Sequence, residues 1–333
     1  MFERFITDYG YTGGNIVPTN DGGILIFAQN IDKSYDDGLH FVSSVENTSQ
    51  ARSVYRLKSG ELIGITMNEK PEAVTKAKLN GSTFNAIFSY NDGLSWTKPN
   101  KICRKNGCYY VHNDRILQLS NGRILIPANW LPEEFFENGV ETSDLHGSFY
   151  SDDNGKTWQE SNWISAQNPK DHLAESIAVE LSDGTVKAFM RSPSGYVRQS
   201  ISYDNGQTWE PETGTSLRMP CAPFTVKKDP YSDFYFVIWT NCFPAPKYQY
   251  PRSPISLGVS RDETLSWEPI CELDSNPQGN YGYPALFFTL DHIIITYYVN
   301  EKVRNFRSEF NRIKLKILDR KKVLDLLTGG KKV

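Results

Sequence analysis

Segments that would place this chain in a membrane, on a nucleic acid or around a structural zinc ion are missing from it. No apolar run reaches the roughly 18 residues that a bilayer-crossing helix needs. Basic residues (36) do not outnumber acidic ones (39), and the formal net charge of −3 leaves no positive field for a phosphate backbone. The five cysteines, Cys103, Cys108, Cys221, Cys242 and Cys271, include no C-x-x-C pair, which argues against a zinc knuckle. Their odd number suits reduced thiols; Cys103 and Cys108 would staple a hairpin only in an exported chain. The opening residues, MFERFITDYGYTGG, lack a basic stretch followed by an apolar one, so a cytoplasmic location is expected, or a secreted one if a leader has been removed. Helical periodicity is also scarce until KKVLDLL at 321–327, which reads as a short terminal helix or a frayed end. Aromatic residues, at 13%, are plentiful and lean towards β structure or carbohydrate contact.

What the chain does have is repetition. The octet SDDNGKTW at 151–158 returns as SYDNGQTW at 202–209 and SYNDGLSW at 89–96, with weaker copies SYDDGLHF at 34–41 and SRDETLSW at 260–267. The intervals of 55, 62, 51 and 58 residues point to a repeat architecture. The chemistry of the octet is that of a turn. An Asp or Asn side chain ties backbone N–H groups just ahead of it, Gly supplies a positive φ, and the closing Trp anchors the turn. A calcium loop would need an acid five residues before its Gly and a Glu six after it. Around Gly155 those positions hold Tyr150 and Ser161, and around Gly206 Ile201 and Glu212, so no metal site is expected.

Upstream of each octet lies an apolar run, an Asp/Asn/Ser-Gly pair and a second apolar run, as in NDRILQLSNGRILIPA and ESIAVELSDGTVKAFM: a β-hairpin signature. Four such hairpins, with the divergent APFTVKKDPYSDFYFVIW and GYPALFFTLDHIIITYY, make six units. The expected fold is all-β, a six-bladed β-propeller forming one domain over 1–333 with a tail from about 320. Each octet should join the outer two strands of a blade. SEFNRIKLKIL at 308–318 reads as a further strand, and the N-terminal MFERFIT should close the last blade. A β-sandwich with long loops would leave the repeat unexplained.

Polar residues where each hairpin begins are costly if buried without partners, so their recurrence at equivalent positions suggests a shared site. The candidates are Asn15, Arg52, the run His112, Asn113, Asp114 and Arg115, then Glu175, Cys221, Tyr281 and Tyr283. If 112–115 form a strand, His112 and Asp114 share one face and Arg115 takes the other.

The octet resembles the Asp-box of sialidases and BNR-repeat proteins. The pattern S-x-D-x-G-x-T-W is complete at Ser151/Asp153/Gly155/Thr157/Trp158 and at Ser202/Asp204/Gly206/Thr208/Trp209. YYVHNDRILQL with MPCAPFTV looks like a divergent bacterial branch of that family. The resemblance implies an exo-acting glycoside hydrolase without a cofactor, whose partner is a glycan carrying an acidic sugar rather than nucleic acid or membrane. It implies a Tyr nucleophile, a Glu that activates it, an Asp acid/base and three arginines on the substrate carboxylate. A neutral Tyr approaches an anionic sugar without the repulsion a carboxylate would meet, and the planar Arg fork binds a carboxylate bidentately.

Carried onto this chain, ESIAVELSDGTVKAFMRS supplies Glu175 and Arg191, and YGYPALFF supplies Tyr283 as first choice of nucleophile and Tyr281 as second. Arg52 and Arg252 stand for the other two arginines, with His112 and Arg115 lining the pocket. Asp114, Glu69 and Glu72 are the candidate acids. Two departures stand out. Arg52 is followed by Ser-Val-Tyr rather than Ile-Pro, and the first hairpin carries Asn15-Ile16-Val17-Pro18 without an arginine. The region of Tyr297 and Tyr298 replaces an acid after the final strand. A uronic-acid enzyme and a non-catalytic glycan- or protein-binding propeller therefore stand beside the sialidase reading.

Overall fold

The Asp/Asn/Ser-Gly pairs turn the chain where the sequence places them. In the computed structural model, which describes residues 1–7, 14–67, 84–132, 144–168, 171–243, 252–300 and 311–327, the hairpin glycines Gly22, Gly60, Gly122 and Gly184 have φ of 85–105°. A side chain is strongly disfavoured there. The two divergent hairpins use side chains instead. Asp229 accepts from the Tyr231 N–H (3.0 Å) and the Ser232 hydroxyl (2.7 Å), and Thr289 Oγ1 accepts from the His292 N–H (3.0 Å).

The strands assemble into six antiparallel sheets, and the chain divides into two compact units, 49–215 and 1–48 with 216–333. The first unit contains the sheet of Ser53–Arg56, Leu62–Met67, Phe84–Ser89 and Asn100–Lys101. A second sheet runs Gly107–Tyr110, Ile124–Pro132, Leu145–Ser151 and Gln159–Glu160. A third runs Ala174–Glu180, Val186–Arg191, Tyr196–Ser202 and Thr213–Arg218, the division falling within its last strand. The other unit holds Asn15–Pro18, Ile24–Phe27, Asn30–Ser34 and Ser43–Glu46, and then Thr225–Lys228, Tyr235–Thr240, Ile255–Ser260 and Glu268–Asp274. Its last sheet comprises Asn280–Phe288, His292–Asn300, Arg312–Asp319 and the N-terminal Phe2–Phe5, which pairs antiparallel with Arg312–Asp319 and closes the sheet as the sequence suggests. The tail forms one helix, Arg320–Leu327, tied by Arg320 Nη2 to the buried Asp229 at 2.6 Å.

Each octet joins the third and fourth strands of its sheet. In the copy at 151–158, Ser151 Oγ donates to Asp153 Oδ1 and accepts from the Gly155 N–H, both at 2.8 Å. Asp153 also accepts from Thr157 N–H (2.8 Å) and Oγ1 (2.6 Å), and the Trp158 indole donates to Gly155 O (3.0 Å). The same set ties Ser202, Asp204, Gly206 and Thr208. In the degenerate copy at 260–267, Thr264 takes the glycine's place at φ 67° and its N–H still bonds Ser260 Oγ (2.9 Å). The octets are turns.

Apolar inward positions make the cores. In 49–215, Ile63, Ile65, Phe84, Ile124, Ile126 and Phe149 are buried in one cluster with Trp158. In the other unit Phe236, Ile238, Leu257, Leu286 and Ile295 pack with Tyr281 and Tyr297. Each large apolar side chain fully buried this way contributes roughly 1.5–3 kcal/mol. All five cysteines are free thiols, Cys103 and Cys108 buried. Among the described residues no helix is long and apolar enough to cross a membrane.

Candidate active site

Within the unit 49–215, Glu175 sits at a fault in its sheet. Ala174 pairs with Arg191 and Ile177 with Phe189, so three steps on one strand face two on the other. The one extra residue is a β-bulge, a device that re-aims a side chain out of the pleat. Glu175 takes φ 49° there, a left-handed conformation that costs a non-glycine residue about 1–2 kcal/mol. Its carboxylate is thereby brought to Arg191 on the neighbouring strand, with Arg191 Nη2 3.1 Å from Glu175 Oε1. His112 Nε2 lies 3.3 Å from the same oxygen.

His112 belongs to a break in the sheet rather than to a strand. Gly107–Tyr110 and Leu117–Gln118 both pair with Ile124–Pro132, and residues 111–116 between them leave the ladder. The strand alternation expected for His112, Asp114 and Arg115 therefore does not apply. Asp114, at φ 59°, lies half-buried near Tyr55, whose phenol is raised by burial and further by the Asp114 charge. Arg115 is 2% exposed, and its N–H donates to Ser53 Oγ at 3.2 Å.

Electrostatics link these groups. Burial lowers the His112 imidazole to about 4; Glu175 opposes that shift, and Arg115, Arg191 and Arg52 reinforce it. At neutral pH His112 is uncharged, and Arg115, Arg191 and Arg52 all act on it beside the Glu175 carboxylate. A cluster of guanidiniums is the kind of group that binds an anion in a planar, bidentate fashion. His172, which sequence reasoning missed, joins this group. Burial lowers its pKa, Arg191 adds to the shift, and Asp171 and Glu175 oppose it. Its signal in the sequence is a histidine three residues ahead of the glutamate.

The other unit carries a second bulge. Gly282 pairs with Tyr298 and Ala285 with Thr296, leaving one extra residue, and Tyr283 takes φ 48°. A bulky aromatic in this region is a genuine outlier. The Tyr283 ring lies 5.9 Å from that of Tyr298, centroid to centroid, in a small cluster with Ile313. Tyr298 Oη accepts from Arg252 Nη1 (2.7 Å) and donates to Asn280 Oδ1 (3.4 Å). Arg252 and Tyr283 are thus brought to one tyrosine. Tyr281 lies elsewhere, in the apolar core, edge-on to Tyr297 with centroids 6.2 Å apart. Asn15 is buried at the start of its strand, and Cys221 is half-buried. Glu69 and Glu72 lie outside the described residues.

Comparisons with known proteins agree with the strand and turn pattern. Residues 34–295 match the BNR repeat-like domain. A curated sialidase of Clostridium perfringens is 26% identical over 252 residues, 69% of this chain and 63% of that protein; the chain thus spans less than two thirds of this relative's length. Among solved structures, a Hadza microbial sialidase superposes with a TM-score of 0.71 at 16% identity, covering 95% of this chain and 67% of that one. A Dyadobacter fermentans protein of unknown function does so with a TM-score of 0.66 at 16% identity, covering 95% and 99%. At these identities the superpositions speak for the fold, an all-β six-bladed propeller with Asp-box turns. With its repeats, sheets and sequence match in agreement, the chain belongs to the BNR repeat-like domain family, as a sialidase-like member.

Proposed function

We propose that this protein is an exo-acting glycoside hydrolase of the sialidase type, releasing a terminal sialic acid or related acidic sugar with retention of configuration. The observation that carries the reading is the group of Arg52, Arg115 and Arg191 acting on His112 beside one carboxylate, Glu175. A carboxylate-bearing sugar matches that charge. The two bulges support it further, since strained non-glycine residues gather where a side chain must be aimed for function. Setting aside the positive-φ residues of the octet turns, the described non-glycine ones are Gln50, Asp114, Glu175 and Tyr283.

In this reading the Tyr283 oxygen attacks the anomeric carbon and Glu175 accepts the phenolic proton. Asp114 donates a proton to the departing glycosidic oxygen. Water then cleaves the sugar–tyrosine bond, losing its proton to Asp114 while the phenol regains its own. Arg191, Arg52 and Arg252 are the proposed carboxylate ligands, and His112 and Arg115 the other proposed contacts; Tyr281, packed in the apolar core against Tyr297, is not among them. Asn15, standing where the family resemblance calls for an arginine, favours a second reading in which the acidic sugar is a uronic acid.

A panel of fluorogenic sialosides and uronides decides between them. Turnover of a sialoside that disappears in Tyr283→Phe, with the fold intact by circular dichroism, is the expected result. Turnover of uronides alone moves the substrate class. Binding without turnover of either leaves a glycan-binding propeller and ends the hydrolase reading.

A further inference from the structure

The bulge that carries Glu175 is gripped from outside its own sheet. Asn129, 1% exposed, lies in Ile124–Pro132, where it pairs with Tyr110 on one side and His146 on the other. Its carboxamide has a donor end and an acceptor end, and the two ends close on either side of Glu175. Asn129 Nδ2 donates to Leu173 O, two residues before the glutamate, and at 3.3 Å to Leu145 O. Asn129 Oδ1 accepts from the Ser176 N–H at 2.9 Å and from Ser176 Oγ at 3.0 Å, one residue after the glutamate.

These contacts fall where the ladder fails. Between the pairs Ala174–Arg191 and Ile177–Phe189 the strand has one residue too many, and a buried backbone group that loses its ladder partner needs another. A second layer backs the first. His146, wholly buried, sets Nδ1 2.8 Å from Ser176 Oγ, and its ring meets Trp209 edge-on at 4.8 Å. Ser176 is thereby held by two side chains from the neighbouring sheet.

We propose that Asn129 is a positioning residue. Its side chain clamps the backbone before and after Glu175, keeps the glutamate in its left-handed conformation and so fixes the carboxylate against Arg191 and His112. The proposal deepens the functional reading above and rests on it for the role of Glu175. A clamp of this kind differs from a packing residue in one respect: its loss lowers turnover only through Glu175.

The test uses the full-length protein with Asn129→Leu, which removes both ends of the clamp, and Asn129→Asp, which keeps the acceptor and removes the donor to Leu173. Hydrogen exchange of the Ser176 amide should speed up by about tenfold in Asn129→Leu and less in Asn129→Asp, as expected for one lost bond in a local opening. Turnover should fall by about 100-fold in Asn129→Leu, the scale of a misplaced catalytic group. The same substitution in a Glu175→Gln background should cost nothing more. If Asn129→Leu does not fold, Ser176→Ala serves in its place; it breaks the hydroxyl contacts, retains the Ser176 N–H bond and should produce smaller effects of the same sign. Unchanged Ser176 exchange overturns the clamp. A turnover loss that persists undiminished in the Glu175→Gln background overturns the positioning role. If Glu175→Gln itself leaves turnover intact, the functional reading and the positioning role fail together, and the exchange measurement decides the clamp alone.

Discussion

Arg191 Nη2 stands 3.1 Å from Glu175 Oε1 across a β-bulge, and both side chains are largely shielded from water. Removing one partner of such a pair leaves the other charge buried and uncompensated, which costs more than the pair itself contributes. Glu175→Ala is therefore expected to lose about 3 kcal/mol of stability. The double variant Glu175→Ala/Arg191→Leu should lose clearly less than the two single losses added together. Urea denaturation of the four proteins measures the coupling, and strictly additive losses would show that the pair is not coupled.

Arg252 is aimed by Tyr298. The phenolic oxygen accepts from Nη1 at 2.7 Å, and both residues are 4% exposed. Tyr298→Phe keeps the ring against Tyr283 and removes only that oxygen. With Arg252 released, the Michaelis constant for an anionic glycoside should rise about tenfold while kcat changes little, the pattern of a lost binding contact. Stability should fall by about 1–2 kcal/mol. An unchanged Michaelis constant would remove Arg252 from substrate binding.

Much of this architecture is written locally. An octet closes on its own atoms, Ser151 to Gly155 and Asp153 to Thr157, so spacing and residue type suffice to read it. The hairpins are equally local, and the count of both leads to six sheets. The candidate site is not local. Glu175 and Tyr283 stand out as polar residues at hairpin starts and take their roles from resemblance to a family, but nothing in AESIAVE or YGYPALFF announces an extra residue, because a bulge exists only relative to the strand opposite. The strand alternation weighed for 112–115 fails for a similar reason: the two short strands flanking 111–116 share one partner, and the run between them leaves the ladder. Asn129 lies 47 residues from Ser176, with no sequence feature to connect them.

The octets should matter for stability and not for turnover. Asp153→Ala removes three hydrogen bonds from the turn at 151–158 and is expected to cost about 1–2 kcal/mol. Gly155→Ala should cost more. A Cβ at that residue, whose φ is 81°, falls 2.5 Å from Phe88 Cζ, so backbone strain adds to overpacking for a total of about 2–4 kcal/mol. Denaturation midpoints should fall for both while kcat at 25 °C stays within about twofold, since the hydrogen bonds these two residues make in the turn close within the octet itself. A large loss of kcat in the still-folded Asp153→Ala protein would contradict the purely structural role.

Buried histidines contribute to the response to acid. Burial lowers His112 to about 4 and His146 to about 3, against about 6.5 in an unfolded chain. Above pH 6.5 both states hold these rings neutral, and their contribution to stability is fully present. Between pH 6.5 and 4 the unfolded chain takes up a proton on each ring that the folded protein refuses, so stability falls as pH falls, by up to about 1.4 kcal/mol per pH unit for each histidine. Carboxylates that titrate below pH 5 add a slope of their own, which a difference between proteins removes. His146→Leu removes a ring buried against Trp209 whose shift comes from burial alone, and should flatten the curve by one histidine's share. Urea midpoints at pH 7, 6 and 5 for the two proteins give that difference. Parallel curves would mean that His146 titrates alike in the folded and unfolded states, and that its burial does not govern acid stability.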